Sequence, residues 1–205
     1  MNIELNNVTK KYNNNVIFES LSFTFKENEI TCIMGASGVG KTTLVRMIAG
    51  LTNYDGNITN VDKISYIFQE DRLIPNLTVY QNLEYVIKGI YKEKETRNEI
   101  INNILDKIEL KEYASYYPSE LSGGMAQRVS IARAFIYPSD VLIMDEPFKQ
   151  MDKELKDKII SEFLSLLKEN KRTVIYITHD LEEAKSITNN IYVIENKSLI
   201  VKRKI

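Results

Sequence analysis

A glycine-rich segment near residue 40 constrains the fold more than any other feature of this sequence. It fits the pattern G-x-x-x-x-G-K-[ST] and consists of Gly35, Ala36, Ser37, Gly38, Val39, Gly40, Lys41 and Thr42. The apolar run 29–34 predicts a buried strand before it, and the pattern over 42–49 predicts a helix after it. Glycines at such a turn let backbone N–H groups wrap a phosphate chain, and the helix N-terminus adds positive potential. We therefore expect a phosphate-binding loop in which Lys41 reaches the β- and γ-phosphates and the Thr42 hydroxyl holds Mg²⁺.

Strand and helix patterns alternate along most of the chain. Strands are predicted at 2–9, 16–26, 64–68, 141–144, 173–178, 191–194 and 199–201, and helices at 153–169 and 181–187. The first two strands alternate in polarity, which favours an antiparallel meander, and the last two favour a hairpin around Asn196 and Lys197. The rest of the order predicts a mainly parallel sheet covered on both faces, so the fold class is α/β.

A helical block interrupts this α/β pattern. Apolar residues recur at helical spacing over 79–90 and 97–109, and a third helix is expected to begin after Ser122 and run to about Phe135. We expect one α/β lobe from residues 1–75 and 137–205, with a helical lobe of about 76–136 inserted into it.

Composition excludes several classes of protein. The chain has 205 residues and a formal net charge of -1, which argues against a general nucleic-acid binder. One cysteine, Cys32, and one histidine, His179, exclude an internal disulfide and a Cys/His metal cluster. No apolar run approaches the ~20 residues that span a membrane, and no secretory signal is visible at the start. A soluble cytoplasmic protein is the expectation.

Polar residues follow two of the predicted strands of the sheet. Asp145 and Glu146 end the apolar run 141–144, so Asp145 suits the coordination of Mg²⁺ and Glu146 can orient or deprotonate a water. An acidic surface turn before Pro147 is an equally good interpretation of this pair taken alone. His179 follows the strand 173–178 and can accept and donate near a γ-phosphate, or it can be an ordinary histidine at a helix start.

Three further positions allow a functional and a structural interpretation. Gln69 follows the strand 64–68 and is either a ligand of water or Mg²⁺ or a polar loop residue. Ser122, Gly123 and Gly124 precede a helix and form either a second anion-binding helix start or an ordinary N-cap. Tyr12, in an early turn after two lysines, either stacks on a nucleotide base or packs against the protein.

The order of these motifs resembles the ATP-binding subunits of ABC transporters. The resemblance covers nearly the whole chain and rests on Tyr12, Gly35–Thr43, Gln69, Leu121-Ser122-Gly123-Gly124-Met125, Asp145-Glu146, Asp152 and His179. It implies a P-loop NTPase core with an N-terminal antiparallel β subdomain and an inserted helical subdomain. It also implies two subunits that form a head-to-tail homodimer with two ATP molecules between them.

The resemblance implies a role for each of these residues. Gly35–Thr43, including Thr43, would hold each ATP together with Asp152, while Ser122, Gly123 and Gly124 of the other subunit would grip its γ-phosphate. Tyr12 would stack on adenine, and His179 would contact the γ-phosphate. Glu146 would be the catalytic base. Thr42, Gln69 and Asp145 would serve Mg²⁺, Asp145 directly or through water. Gln69 would also serve the attacking water, and Gln69 and Lys41 would be catalytic residues with Glu146 and His179.

The stretch 68–79, together with Met125, is similar to importers of nitrate, sulfonates, taurine or thiamine-type precursors, although Asn76 stands where that group often has Trp. Such a system implies integral-membrane permease subunits, an extracytoplasmic substrate-binding protein and a position on the cytoplasmic face of the membrane. Leu73, Ile74, Leu77 and Val79 would either lie where a permease docks or pack the helical lobe.

Lys149 and Gln150 depart from the family pattern, because small residues are usual there at the dimer seam. Two alternative functions stay open: a non-transport ABC ATPase of the cell-division or cofactor-assembly type, and a nucleotide-binding regulator with little turnover. The tail Lys202-Arg203-Lys204 is expected to be a solvated end.

Overall fold

The chain divides into two compact units. The computed structural model describes residues 1–148, 151–195 and 198–201. The first unit comprises Met1–Tyr66, Ser139–Glu146 and Asn170–Ile205, and the second comprises Ile67–Pro138 and Pro147–Glu169. The boundaries that the sequence predicts for an α/β lobe and an inserted helical lobe stay a prediction.

A three-stranded antiparallel sheet belongs to the first unit. It contains β1 (Ile3–Tyr12), β2 (Asn15–Phe25) and β4 (Asp55–Thr59), in the order β2-β1-β4. Alternating polarity predicts the hairpin of β1 and β2, which pairs Ile3 with Phe25. The sequence did not predict β4, because it opens with Asp-Gly-Asn, residue types that are depleted in strands.

The second sheet has six strands in the order β5-β6-β7-β3-β8-β9. They are β3 (Ile30–Met34), β5 (Ile64–Ile67), β6 (Val141–Asp145), β7 (Thr173–Ile177), β8 (Ile191–Glu195) and β9 (Ser198–Val201). β6, β7, β3 and β8 pair in parallel, and β9 pairs with β8 antiparallel. Every residue of β6 and β7 is buried, as expected for parallel strands covered on both faces. The predicted mainly parallel sheet is confirmed, while the hairpin turn at Asn196 and Lys197 lies outside the described residues.

Six α-helices are described, and most of their spans follow the sequence pattern. They are α1 (Lys41–Ile48), α2 (Val79–Ile87), α3 (Lys94–Lys107), α4 (Gly123–Ile136), α5 (Lys153–Glu169) and α6 (Leu181–Ile187). The expectation that α2 reaches residue 90 is wrong. The helix ends at Ile87, just before Gly89, and Ile90 is exposed rather than on the buried face. None of the helices in the described part of the chain combines the length and the apolar composition that a bilayer crossing requires.

Helix starts in both units carry side-chain caps. Thr78 and Gln81 form a reciprocal capping box at α2, and Asp180 accepts hydrogen bonds from two backbone amides at α6. α1 differs, because it follows Gly40, has no side-chain cap and has no acidic residue in its first turn. Its N-terminal N–H groups and its positive dipole end are therefore available to an anion.

The close approach of β4 to β1 requires a glycine, which gives a first prediction. Gly56 has φ +101°, and a Cβ there would lie 2.5 Å from the Asn7 carbonyl oxygen. We expect Gly56→Ala to cost about 1–3 kcal/mol more than Gly50→Ala, because Gly50 also has a positive φ but faces open space. Urea unfolding of both variants measures the difference. Equal midpoints would show that backbone strain alone, and not the clash with β1, limits this position.

Candidate nucleotide-binding site

The glycine-rich loop connects β3 to α1 in the predicted position. Gly40, immediately before α1, has φ +113°, and a Cβ there would lie 2.7 Å from Ile17 Cγ2 and 3.1 Å from Phe18 Cζ. Only glycine fits this backbone against the buried Phe18 ring. The loop conformation is thus fixed by packing beneath it, while Ala36, Ser37 and Gly38 are exposed at its tip.

Lys41 extends back over this loop. Its ammonium donates hydrogen bonds to the carbonyl oxygens of Gly35 at 2.9 Å and Ala36 at 3.0 Å, and the residue is only 7% exposed. A buried lysine needs such acceptors because desolvation penalises its charge. The same ammonium, held above the loop beside the uncapped start of α1, is placed to pair with a polyanion.

Asp145 forms a buried acidic position at the end of β6. The residue is 4% exposed, and the Tyr66 hydroxyl donates to its Oδ2 at 3.4 Å. Burial raises the pKa of this carboxyl, and the neighbouring Glu146 adds to the increase, while a hydrogen bond from Thr42 opposes it. A desolvated carboxylate beside a threonine hydroxyl is a set of hard oxygen donors, which fits Mg²⁺. The structure therefore brings together Thr42 and Asp145, two of the three predicted metal ligands, within one unit.

Glu146 and His179 are in contact in the first unit. His179 Nδ1 lies 3.4 Å from Glu146 Oε1, and the imidazole is largely exposed while the carboxylate is mostly buried. Glu146 adopts φ +49°, a left-handed conformation that costs a non-glycine residue energy. Its amide donates to the Ile177 carbonyl oxygen at 3.0 Å, which fixes this backbone at the end of the sheet. The sequence predicted both residues for one site, and the structure shows how they meet.

Tyr12 lies at the end of β1 with 45% of its surface exposed. The ammonium of Lys10 lies 4.5 Å from the centre of its ring. Lys10 is anchored by Thr52 Oγ1 at 2.9 Å and by the Asn53 carbonyl oxygen. A hydrogen bond from Thr52 lowers the pKa of Tyr12, with a smaller contribution from Thr43 of the phosphate loop. The aromatic ring is therefore oriented next to the loop, as a platform for a nucleotide base requires.

Sequence reasoning missed two residues of this arrangement. Lys10 orients the Tyr12 ring, and Tyr66 hydrogen-bonds Asp145 from β5. A lysine two residues before an aromatic residue on one strand was a usable signal, because positions i and i+2 share a face. Tyr66 carried none, since nothing in the sequence pairs β5 with β6.

In the second unit, the predicted residues have defined local roles. The Ser122 hydroxyl accepts a hydrogen bond from the Met125 amide at 3.3 Å and so caps α4, with Gly123 exposed beside it. This confirms the N-cap interpretation, and anion binding by Ser122, Gly123 and Gly124 stays a prediction. Gln69 is exposed just after β5, and its proposed role is equally untested.

Asp152 caps α5. Its Oδ1 accepts a hydrogen bond from the Leu155 amide at 3.0 Å, and its carbonyl oxygen accepts one from Lys156. Its expected contact with nucleotide remains a prediction beside this structural role. Lys149 and Gln150, the departures from the family pattern, lie outside the described residues, as does the tail 202–204.

Comparison with known proteins decides the family. The family model described as "ABC transporter" matches residues 18–149, which is more than half of the chain. The chain belongs to the ABC transporter family. Two solved structures support the fold: dimeric structures of the ATP-binding cassette MJ0796, described as a bacterial ABC transporter cassette. Each has a TM-score of 0.88 and covers 99% of this chain and 97% of that chain, at 29% and 30% identity. The first of them is in a post-hydrolysis state bound to ADP and Pi.

The curated relatives of this ABC protein are import ATP-binding proteins for different cargoes. An Fe(3+) ions import ATP-binding protein of Fusobacterium nucleatum is 36% identical over 96% of this chain and 56% of its own length. A spermidine/putrescine import ATP-binding protein of Pasteurella multocida is 35% identical over 94% of this chain and 55% of its own length. An aliphatic sulfonates import ATP-binding protein of Bacillus cereus is 33% identical over 96% and 82%. The chain thus spans little more than half the length of the iron and polyamine relatives. Similarity extends to importers as a group and does not single out sulfonate-type cargo.

The buried Asp145 carboxylate gives a prediction about stability. Because folding raises its pKa, the free energy of unfolding falls as the pH rises from the unfolded pKa through the folded pKa. Asp145→Asn carries no charge and can still accept from Tyr66 and Thr42. We therefore expect it to stabilise the nucleotide-free protein at pH 7–8 by about 1 kcal/mol, an advantage that shrinks as the pH falls through the folded pKa and is gone below pH ~4.

Thermal unfolding across this pH range, with the exposed Asp55→Asn as control, measures the effect. An Asp145→Asn protein that is less stable than wild type at pH 8 would show that the carboxylate is compensated in the folded state.

Proposed function

We propose that the chain is the ATP-binding and ATP-hydrolysing motor subunit of an ABC importer. The observation that carries this proposal is the contact between His179 Nδ1 and Glu146 Oε1, 3.4 Å, in the same unit as the Lys41-covered phosphate loop. A phosphate loop alone serves any nucleotide-binding protein. A carboxylate held against an imidazole beside that loop adds the groups that activate and orient water.

Different residues of the first unit are proposed to bind the phosphates and the adenine. Gly35–Thr43 and Lys41 take the phosphates, with loop amides and the α1 N-terminus supplying positive potential. Tyr12 stacks on the adenine from the side of its ring that does not carry Lys10. These roles are supported by the loop conformation, by the exposure of Tyr12 and by the ammonium of Lys10 near its ring.

Hydrolysis requires one water and one proton acceptor. The water oxygen attacks the γ-phosphorus as the bond from that phosphorus to the β–γ bridging oxygen breaks, giving ADP and inorganic phosphate. Glu146 accepts the proton that the water loses, and His179 holds the γ-phosphate side of the site. Lys41 stabilises the negative charge that grows on the leaving phosphate oxygens.

Thr42 and Asp145 are the residues that would hold Mg²⁺, with Gln69 as a further ligand. When bound, Mg²⁺ neutralises charge on the β- and γ-phosphates. The described residues contain no cluster of three or more His, Cys, Asp or Glu, so the remaining ligands of this site would be phosphate oxygens and water.

Ser122, Gly123 and Gly124 are proposed to complete the site of a second copy. The cap at α4 leaves Gly123 exposed at a helix start without acidic residues in its first turn, which suits a γ-phosphate. ATP would then bind the closed head-to-tail dimer more tightly than the open one and shift the equilibrium towards it. The dimeric cassettes of similar fold support this arrangement.

The importer around this subunit is proposed from the relatives. Its permease and extracytoplasmic binding protein would be separate chains, and the subunit would lie on the cytoplasmic face of the membrane. The proposed cargo is a small solute such as a sulfonate, nitrate, taurine or a thiamine-type precursor, supported by the sulfonate relative. Val79 is fully buried and so belongs to the core of the second unit. Leu73, Ile74 and Leu77 stay as candidates for permease contact.

Turnover and binding of ATP by three variants test this function. We expect Glu146→Gln to lower turnover at least ~100-fold while ATP still binds, because only proton transfer is lost. Lys41→Ala should weaken ATP binding itself, because the phosphate loop loses its cation. Mg²⁺-dependent phosphate release and fluorescent-nucleotide titration measure the two quantities, with the exposed Glu19→Gln as control.

Unchanged turnover in Glu146→Gln would remove its assigned role. A wild-type protein that binds ATP without releasing phosphate would favour the regulator over the motor.

A further inference from the structure

The segment that carries His179 is fixed by hydrogen bonds on both sides. Thr178 Oγ1 accepts from the Asp180 amide at 3.1 Å, and Asp180 Oδ1 accepts from the amides of Glu182 and Glu183 at 3.0 and 3.1 Å. These bonds shape the turn from β7 into α6. They are local, so by themselves they do not fix α6 relative to β7.

A buried pair supplies that link. The Tyr176 hydroxyl on β7 donates to Glu183 Oε1 on α6 at 2.5 Å, and the two residues are 0% and 9% exposed. Burial, followed by the charge of Glu183, raises the pKa of Tyr176, so the phenol stays protonated as the donor. A charge-assisted hydrogen bond between buried groups is short and geometrically demanding.

The end of β7 is also hydrogen-bonded to Glu146, which follows β6. Ile177, the residue after Tyr176, accepts the Glu146 amide at 3.0 Å, and the carboxylate of Glu146 meets the His179 imidazole at 3.4 Å. Tyr176 therefore lies just before the turn from β7 into α6, and Glu183, just after that turn, accepts its hydrogen bond. His179, although largely exposed, is carried between these two fixed points.

We propose that Tyr176 and Glu183 are positioning residues for ATP hydrolysis, which hold His179 against Glu146 by bracing α6 on β7. The inference rests on the proposed function and adds to it two residues that never touch nucleotide. Loss of the Tyr176–Glu183 hydrogen bond leaves the phosphate loop intact and lets the imidazole of His179 move away from Glu146. Small displacements of such groups lower the rate of the chemical step far more than they lower substrate binding.

Steady-state kinetics of matched variants form the first test. We expect Tyr176→Phe to lower kcat about tenfold or more with the KM for ATP within about twofold of wild type. Glu183→Gln keeps an acceptor for the phenol, so its kcat should stay within about threefold of wild type. Tyr80→Phe is the control, because it also removes a tyrosine hydroxyl bonded to a side chain, Asn98, but lies in the other unit.

The single histidine makes a second test possible. His179 is the one histidine of the sequence, so a protein made without a histidine tag and labelled at histidine gives one set of imidazole signals by NMR. We expect the His179 signals to shift and broaden in Tyr176→Phe, to shift in Glu146→Gln, and to match wild type in Tyr80→Phe.

The outcomes separate this proposal from the proposed function. If kcat of Tyr176→Phe equals that of Tyr80→Phe and the His179 signals match wild type, the positioning role of Tyr176 and Glu183 is overturned. If Glu183→Gln loses as much activity as Tyr176→Phe, a retained acceptor does not rescue and the hydrogen bond is not the cause, which also contradicts the proposal. A wild-type protein without ATPase activity would defeat the proposed function, while the His179 signals would still decide whether Tyr176 positions the imidazole.

Discussion

The parallel pairing of β6 with β7 and of β7 with β3 determines where the chemistry of this protein can occur. Parallel strands end at the same edge of a sheet, so the phosphate loop after β3, the carboxylates at the end of β6 and the histidine after β7 meet there. Residues more than a hundred positions apart in the sequence, such as Thr42 and Asp145, thereby become neighbours. The contact of Glu146 with His179 and the hydrogen bond of Glu146 to Ile177 are consequences of this register.

Three residues at this edge of the sheet have energetically unfavourable environments or conformations. Asp145 is a desolvated carboxylate with a raised pKa, Glu146 holds a left-handed backbone, and Lys41 is a buried cation. Each is only partly offset locally, by hydroxyl donors, by a backbone hydrogen bond or by two carbonyl oxygens. A polyanion with a divalent cation would relieve the strain on both charges, which supports the proposed nucleotide site.

The sequence predicted the parallel strands and most helices because their apolar patterns are strong and their lengths are typical. It missed β4, since Asp55 and Gly56 disfavour strands and only the close approach to β1 explains their conformation. It extended α2 to Ile90 because the apolar periodicity continues past the point where the helix ends, at Ile87. At the site, motif residues were predictable from residue type and order, whereas the residues that orient them were not. Tyr66 contacts Asp145 across the sheet and Tyr176 contacts Glu183 on a helix, and a single sequence does not show which side chains meet in either way.

Light scattering of purified Glu146→Gln with and without MgATP is the sharpest test of whether two copies of the chain share each ATP molecule. With turnover blocked, we expect a monomer without nucleotide and a dimer of twice 23.7 kDa once ATP is added. The dimer should be lost again when Ser122 is changed to a bulky residue. A protein that binds ATP and remains monomeric at every concentration would contradict a composite site between two copies.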